Sequence, residues 1–287
     1  LALQPGSGLE VLVTNWPQDY SGAWTLAAEV ERRGVGLHSG GESTVCLRPC
    51  DKPGFHLRVG AEAESVRLSP DQVRDSQLCT TLELGAHRVA TVEHLLAALA
   101  GCGLSHCEIA VQGGEIPLLD GSALGWVEAI AEGGLQPAAS ERPPSPQLEQ
   151  PLVRHRGSSV ITATPSDRFS LVGIIDFPQA AIGRQQLTLE LTPQRFVDEI
   201  APARTFGFRD QVEQLRAAGL IQGGALDNAL VCDGDHWLNP PLRFADEPVR
   251  HKLLDLIGDL ALVGFPQAQV LVYRGSHGLH TDLAAAL

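Results

Sequence analysis

The pentapeptide His251-Lys-Leu-Leu-Asp255 carries an imidazole and a carboxylate at positions i and i+4. On a helix these two side chains leave the same face, as two ligands of one metal ion must. Asp259 lies a further turn along that face. Glu93-His94 forms a second pair: His94 offers another nitrogen ligand, and Glu93 beside it a base for a water activated by the metal. Lys252 and Lys52 are the only lysines in an Arg-rich chain, and an ammonium next to a metal ligand is placed to polarise an amide carbonyl. His277, in Tyr273-Arg-Gly-Ser-His277-Gly-Leu-His280, stands at an expected strand end, where a histidine can protonate a leaving amine. Each signal taken alone also has an ordinary reading. These are a solvated His-Asp pair, an acidic residue favoured near a helix N-terminus, a surface lysine, and one histidine among ten. The stretch Glu115-Ile-Pro-Leu-Leu-Asp120-Gly-Ser122 reads as a turn with an Asx-type cap.

The elements that must position these residues can be read from pattern and punctuation. A strand from Thr25 runs into the turn Gly34-Val-Gly-Leu-His38-Ser-Gly-Gly41, and a second alternating run, 43–48, stops at Pro49, which is the grammar of a hairpin. Residues 91–100 read as a helix with Thr91 as N-cap and Gly101 as its stop. Five prolines between Gly133 and Pro151 defeat both helix and ladder, which places a linker at 134–151 between one domain at 24–133 and another at 152–287. Beyond it, strands are expected near 158–164, 169–176, 184–191, 225–232 and 269–273. Helices are expected near 193–200, 207–218 and 247–263, with a short one at the C-terminus. Strands and helices are grouped within each half instead of alternating strictly, so the fold class is α+β. Residues 1–23 read as an appended arm with no assigned role.

Composition narrows the partners. The 287 residues are 44% apolar, enough for a large core, and 34 acidic residues against 21 Lys and Arg give a net charge of −13. Such a chain repels nucleic acid and anionic lipid surfaces, although a local cluster of basic residues still permits an anionic small molecule. The six cysteines contain no C-x-x-C pair and read as reduced core thiols. No apolar run reaches the roughly 20 residues of a membrane span. The first thirty residues contain no Lys or Arg, so a soluble, cytoplasmic protein without stable membrane insertion is expected.

Taken together and in order, GVGLHSG (34–40), TVEHLLAALAG (91–101), EIPLLDGSA (115–123), ARTFGF (203–208), GLIQGG (219–224), LRFADEPVRHKLLDLIGD (242–259) and SHGL (276–279) resemble the UDP-3-O-acyl-N-acetylglucosamine deacetylases over about residues 24–287. The resemblance implies two domains of similar βα topology forming a two-layer sandwich with helices packed between sheets. It also implies a βαβ insert at about 207–232. It implies a catalytic Zn2+, with Fe2+ as a cellular alternative, held by His94, His251 and Asp255, and zinc-dependent release of acetate from an acylated UDP-amino-sugar, the committed step of lipid A biosynthesis. Glu93 would be general base, His277 general acid and Asp259 its supporting carboxylate, with Lys252 and Thr205 binding the oxyanion. Phe206, Val212, Ile221, Ala225 and Ala229 would line an acyl passage, and Arg274 would meet the nucleotide diphosphate. The chain departs from the family pattern in three places. It carries His280 where many members have Asn, which leaves the acid role open between His277 and His280. It carries Asp176-Phe177-Pro where His-Pro is common, and the arm 1–23 has no counterpart. The competing functions are a zinc amidohydrolase for another N-acetyl sugar and a non-catalytic binding protein that keeps the fold.

Overall fold

The computed structural model describes residues 15–60, 64–75 and 78–287; most of the arm expected at 1–23 lies outside them. Two five-stranded sheets carry the molecule. In the first, Val30–Val35 pairs with Glu42–Arg48, which pairs with His106–Gln112. That central strand runs parallel to Gly54–Val59, and Val66–Arg67 closes the edge. In the second, the strands lie in the order Leu152–Arg156, Ser159–Pro165, Ala268–Tyr273, Ser170–Asp176 and Arg184–Glu190. Here too the last strand in sequence lies at the centre, antiparallel to the second and parallel to the third. The two halves therefore repeat one topology, and the α+β reading holds.

Five helices position the candidate residues: α1 (Glu93–Gly101), α2 (Leu124–Gly133), α3 (Arg209–Ala217), α4 (Glu247–Leu260) and α5 (His277–Ala284). Every residue of α1 is buried, and α4 exposes almost nothing. A helix buried on all sides must be covered on all sides; α1 and α4 cover each other, while α4 also packs on the second sheet. One apolar cluster runs through both halves, from Val45, Leu57 and Ile109 through Leu95 and Leu99 to Leu253, Leu171 and Ile161. The close crossing of α1 and α4 depends on glycine, because a Cβ at Gly258 would lie 2.0 Å from the carbonyl oxygen of Glu93.

Several local expectations are corrected. Thr91 is not the N-cap of α1: its φ is 59°, in the left-handed region, and its hydroxyl donates to Glu115 instead of accepting from the helix. Gly101 does not stop α1 but belongs to it, where a Cβ would strike the Phe196 ring at 2.4 Å. The stop is Gly103 (φ 95°), with Leu104 N donating to Leu99 O and Gly103 N to Ala100 O in a Schellman-type closure. The proline-rich segment does contribute a ladder, since Leu135–Pro137 pairs with Trp24–Leu26 ahead of most of its prolines. The helix expected at 193–200 is one short turn continued as a wider π-type turn over Phe196–Ile200. The strand expected from 225 begins only at Leu230, because Asn228 turns the chain back on Ala225. Phe206–Phe208, α3 and Leu230–Asp233 form a strand–helix–strand unit with its two strands parallel. All six cysteines are free thiols; Cys50 is half-buried and the other five are buried. Among the described residues no helix is long and apolar enough to cross a membrane.

Candidate metal centre and its surroundings

On α4 the i, i+4 spacing brings His251 Nε2 to 3.3 Å from Asp255 Oδ1, and α1 supplies His94, whose Nε2 lies 3.6 Å from the same oxygen. The two imidazoles meet edge to face at 4.9 Å, and one ligand atom from each of the three residues falls within 4.8 Å of the others. His251 Nδ1 donates to the carbonyl of Ala203 at 3.0 Å, which fixes the tautomer and leaves Nε2 as a lone-pair donor. Burial pushes the His251 pKa down to about 3, so the ring is neutral at physiological pH. Two imidazoles and a carboxylate, buried and convergent, are a donor set that fits a divalent metal.

Around this triad sits a layer of buried titratable groups. Glu93 is buried, and burial raises its pKa; its Oε2 accepts from Thr80 N at 3.0 Å, while Oε1 lies 3.8 Å from His277 Nε2. His277 Nε2 is also 4.0 Å from Asp255 Oδ2. His277 is the first residue of α5, directly after the N-cap Ser276 and just beyond the end of strand Ala268–Tyr273, as expected. Asp259 Oδ2 accepts from His277 Nδ1 at 3.0 Å and from His280 Nδ1 at 2.9 Å, and its Oδ1 accepts from the Thr80 hydroxyl. Burial works against a charged His277, but Asp259 and Glu93 outweigh it and hold the pKa at about 9. For His280 burial wins and lowers it, and its Nε2 has no hydrogen-bond partner among the described residues. Asp259, His277 and His280 also cluster tightly enough to suggest a second ion, yet their facing atoms are already joined by hydrogen bonds.

Lys252 Nζ donates to Asp255 Oδ2 at 2.7 Å and lies 5.6 Å from the centre of the Phe206 ring. Burial pushes Asp255 up, but Lys252 and His251 overcome it and hold the carboxyl well below its ordinary value. Thr205 is tied through its backbone N–H to Gly121 O at 2.7 Å. Arg274 (φ 53°) reaches Ser158 Oγ at 3.3 Å and lines an open cleft with Lys252, Asp176 and Phe177. Phe206 packs edge to face on Phe177 and, at 6.4 Å, on His251. Val212 and Ile221 are half-buried, Ala229 is half-buried and Ala225 is exposed.

Sequence reasoning missed four contributors. Thr80, outside every motif, holds both Glu93 and Asp259, and the backbone carbonyl of Ala203, the first residue of ARTFGF, orients His251. Glu247, fully buried, accepts from Arg204 and from the backbone N–H of Arg243. Glu115, read as part of a turn, is a buried carboxylate that collects four donors. Asp120 in the same motif is an Asx turn, as expected, and also pairs across the halves with Arg243 at 2.8 Å.

A profile of the family described as UDP-3-O-acyl N-acetylglycosamine deacetylase matches residues 23–287. Among curated relatives, the UDP-3-O-acyl-N-acetylglucosamine deacetylase of Thermosynechococcus vestitus is 48% identical over 267 residues, covering 92% of this chain and 93% of its own length. That of Synechocystis sp. is 47% identical over 268 residues, 91% and 96% of the two chains. An Arabidopsis thaliana protein named probable UDP-3-O-acyl-N-acetylglucosamine deacetylase 1, mitochondrial, is 40% identical, with 92% and 87% covered.

Proposed function

Since the chain belongs to the UDP-3-O-acyl N-acetylglycosamine deacetylase family, we propose that the crossing of α1 and α4 is its active site. The observation that carries this is the convergence of His94, His251 and Asp255 from two helices in one buried place, with Glu93 beside them. The protein is a deacetylase, a hydrolase that cleaves an amide, and its family is metal-dependent. The reaction is removal of the N-acetyl group of UDP-3-O-(3-hydroxyacyl)-N-acetylglucosamine, releasing acetate and leaving the free amine, in the committed step of lipid A biosynthesis. We assign Zn2+ to the site on its two nitrogens and one oxygen, with Fe2+ as the alternative that the same donors accept. When bound, such an ion supplies Lewis acidity at the amide and acidifies water.

The chain's own residues do the rest. Glu93, pinned at Oε2 by Thr80, turns its free Oε1 toward the reacting centre and takes the proton of the attacking water. His277 then protonates the departing nitrogen. Its Nδ1 is anchored on Asp259, so its Nε2 faces Glu93 and Asp255, whereas His280 Nε2 is buried without a partner; this favours His277 as the acid. Lys252 and Thr205 stabilise the oxyanion. Arg274, on the rim of the cleft that Lys252 also lines, meets the diphosphate. Phe206, Val212, Ile221, Ala225 and Ala229 line the acyl passage in the strand–helix–strand unit. We place the enzyme in the cytoplasm, as the first-mentioned relatives are cyanobacterial, although plant relatives are named mitochondrial.

The test joins metal analysis to acetate release from the acylated UDP-sugar. Wild type is expected to hold one metal per chain and to lose and regain activity with chelation and reconstitution; His94→Ala, His251→Ala and Asp255→Ala each lose both metal and activity. Full activity in a metal-free preparation would sink the assignment.

A further inference from the structure

Glu115 is 3% exposed. Its charge is dispersed over four donors: His38 N at 2.8 Å and Thr91 Oγ1 at 2.9 Å on Oε1, and Ser39 N at 2.8 Å and Ser39 Oγ at 2.6 Å on Oε2. A buried carboxylate is tolerated only when its lone pairs are met in this way. The arrangement leaves no space to spare, since a Cβ at Gly36 would fall 2.4 Å from Oε2.

The donors belong to two segments that lead to opposite sides of the site. Thr91 is a β-branched residue at φ 59°, a conformation that persists only when its surroundings impose it. It stands two residues before Glu93 and three before His94, so whatever holds Thr91 sets how α1 enters the centre. The 38–39 segment belongs to the hairpin turn of the first half, and this turn docks the loop of the strand–helix–strand unit: Gln222 N donates to His38 O at 3.1 Å, and Gly223 N to Leu37 O at 3.0 Å. The fit is again glycine-tight, with a Cβ at Gly223 only 2.2 Å from Gly36 O. That loop contains Ile221, itself at φ 48°.

We propose that Glu115 is a positioning residue that holds two parts of the site in register, α1 with its base and ligand on one side and the 220–224 loop that borders the acyl passage on the other. The inference rests on the proposed deacetylase activity for its consequence in catalysis, but not for its structural content. Each arm has its own kinetic signature. Loss of the Thr91 bond misaligns Glu93 and acts on kcat; loss of the Ser39 bond loosens the loop and acts on KM for long-acyl substrate.

The experiment uses Thr91→Val and Ser39→Ala, which each delete one hydroxyl, and Glu115→Gln, which keeps shape but turns an amide NH2 toward N–H donors. A hydrogen bond to a charged group is worth about one order of magnitude or more. Thr91→Val is therefore expected to lower kcat about tenfold or more with KM little changed, and Ser39→Ala to raise KM for the long-acyl UDP-sugar with kcat little changed. Glu115→Gln should show both effects at one metal per chain. Amide hydrogen exchange in 36–41 and 219–224 should quicken in Glu115→Gln and Ser39→Ala, a readout that needs no activity and stands if the wild type proves to have another substrate. Unchanged exchange in both variants overturns the proposal, as does an absence of the split between kcat and KM. Should Glu115→Gln fail to fold, the two single-hydroxyl variants decide the matter.

Discussion

Gly258→Ala is the sharpest perturbation the helix crossing offers. On an exposed helix this change stabilises by about 0.5–1 kcal/mol, because alanine has less backbone freedom to lose. At Gly258 the new methyl would sit 2.0 Å from Glu93 O and 2.9 Å from Glu93 Cα, so α1 and α4 must part by about 1 Å to reach even a tight 3.0 Å contact. Overpacking of this kind costs about 1–3 kcal/mol and reverses the sign. The net loss of about 1–2 kcal/mol lowers Tm by roughly 2–8 °C in a chain of this size. Activity should suffer more than stability. The displaced residues are Glu93 and His94 on one side and, on the other, the helix bearing His251 and Asp255, and a 1 Å misplacement of reacting groups costs about 10²-fold. The assay is kcat/KM for acetate release beside a thermal melt and metal analysis. A raised Tm with wild-type kcat/KM would refute the claim that this contact sets the geometry of the site.

Other outcomes are expected from the same geometry. His277→Ala should keep the metal and lose about 10²–10⁴ in turnover, whereas His280→Ala, which removes only one of the three donors on Asp259, should lose far less; a larger loss at His280 would transfer the acid role to it. Burial pushes Asp120 up, but Arg243 and Ser122 outweigh it and lower its pKa below 3.8, so its stabilisation is complete above that pH and disappears as pH falls through the folded value. Asp120→Asn should thus melt roughly 3–10 °C below wild type at pH 7, with the gap narrowing below pH 3.8; a gap that is constant with pH would contradict the ion pair. Ile221→Trp or Ala225→Trp should penalise long-acyl substrate most, each buried methylene being worth about 0.8 kcal/mol. Equal slowing of all substrates would make these residues core, and a wild type without acyl preference would favour a deacetylase of another N-acetyl sugar.

How much of this was legible from the chain depends on whether the determinant is local. The convergence of His251 and Asp255 is announced by helical spacing, and that of Glu93-His94 by its place in a helical run, since side chains that share an element leave a period. The hairpin and α4 were readable for the same reason, although the strand expected from Thr25 is split: Trp24–Leu26 pairs with Leu135–Pro137 and the hairpin strand begins at Val30. Thr80 was not readable: it serves Glu93 and Asp259 from a loop, through one backbone N–H and one hydroxyl, groups with no signature of their own. The N-cap assigned to Thr91 failed because a tertiary carboxylate, Glu115, claims the hydroxyl that a cap would use. Gly101 reads as a stop in the sequence, yet it belongs to its helix, and there, as at Gly258, another chain segment comes too close for a Cβ. The repeated sheet topology was expected only through the family resemblance, because pairing between strands distant in sequence leaves no local period.

Charge explains why the site is built where the halves meet. Glu93, Asp255 and Asp259 are all buried at the crossing, with Lys252 as the adjacent ammonium and His277 as a further cation when protonated. Three carboxylates against one or two cations leave one or two negative charges in a medium that penalises them severely. A divalent ion held by His94, His251 and Asp255 would supply the missing positive charge, so the burial that penalises these carboxylates would also favour ion binding. Neither helix could bear this alone: α1 would expose Glu93 and His94 to water, and α4 would expose its two aspartates. Only when the halves close on each other does Thr80 reach Asp259 across 179 residues of chain, and His277 come between Glu93 and Asp259. Closure, burial of charge and assembly of the proposed proton-transfer groups are therefore coupled, and a substitution that loosens the crossing should weaken all three together.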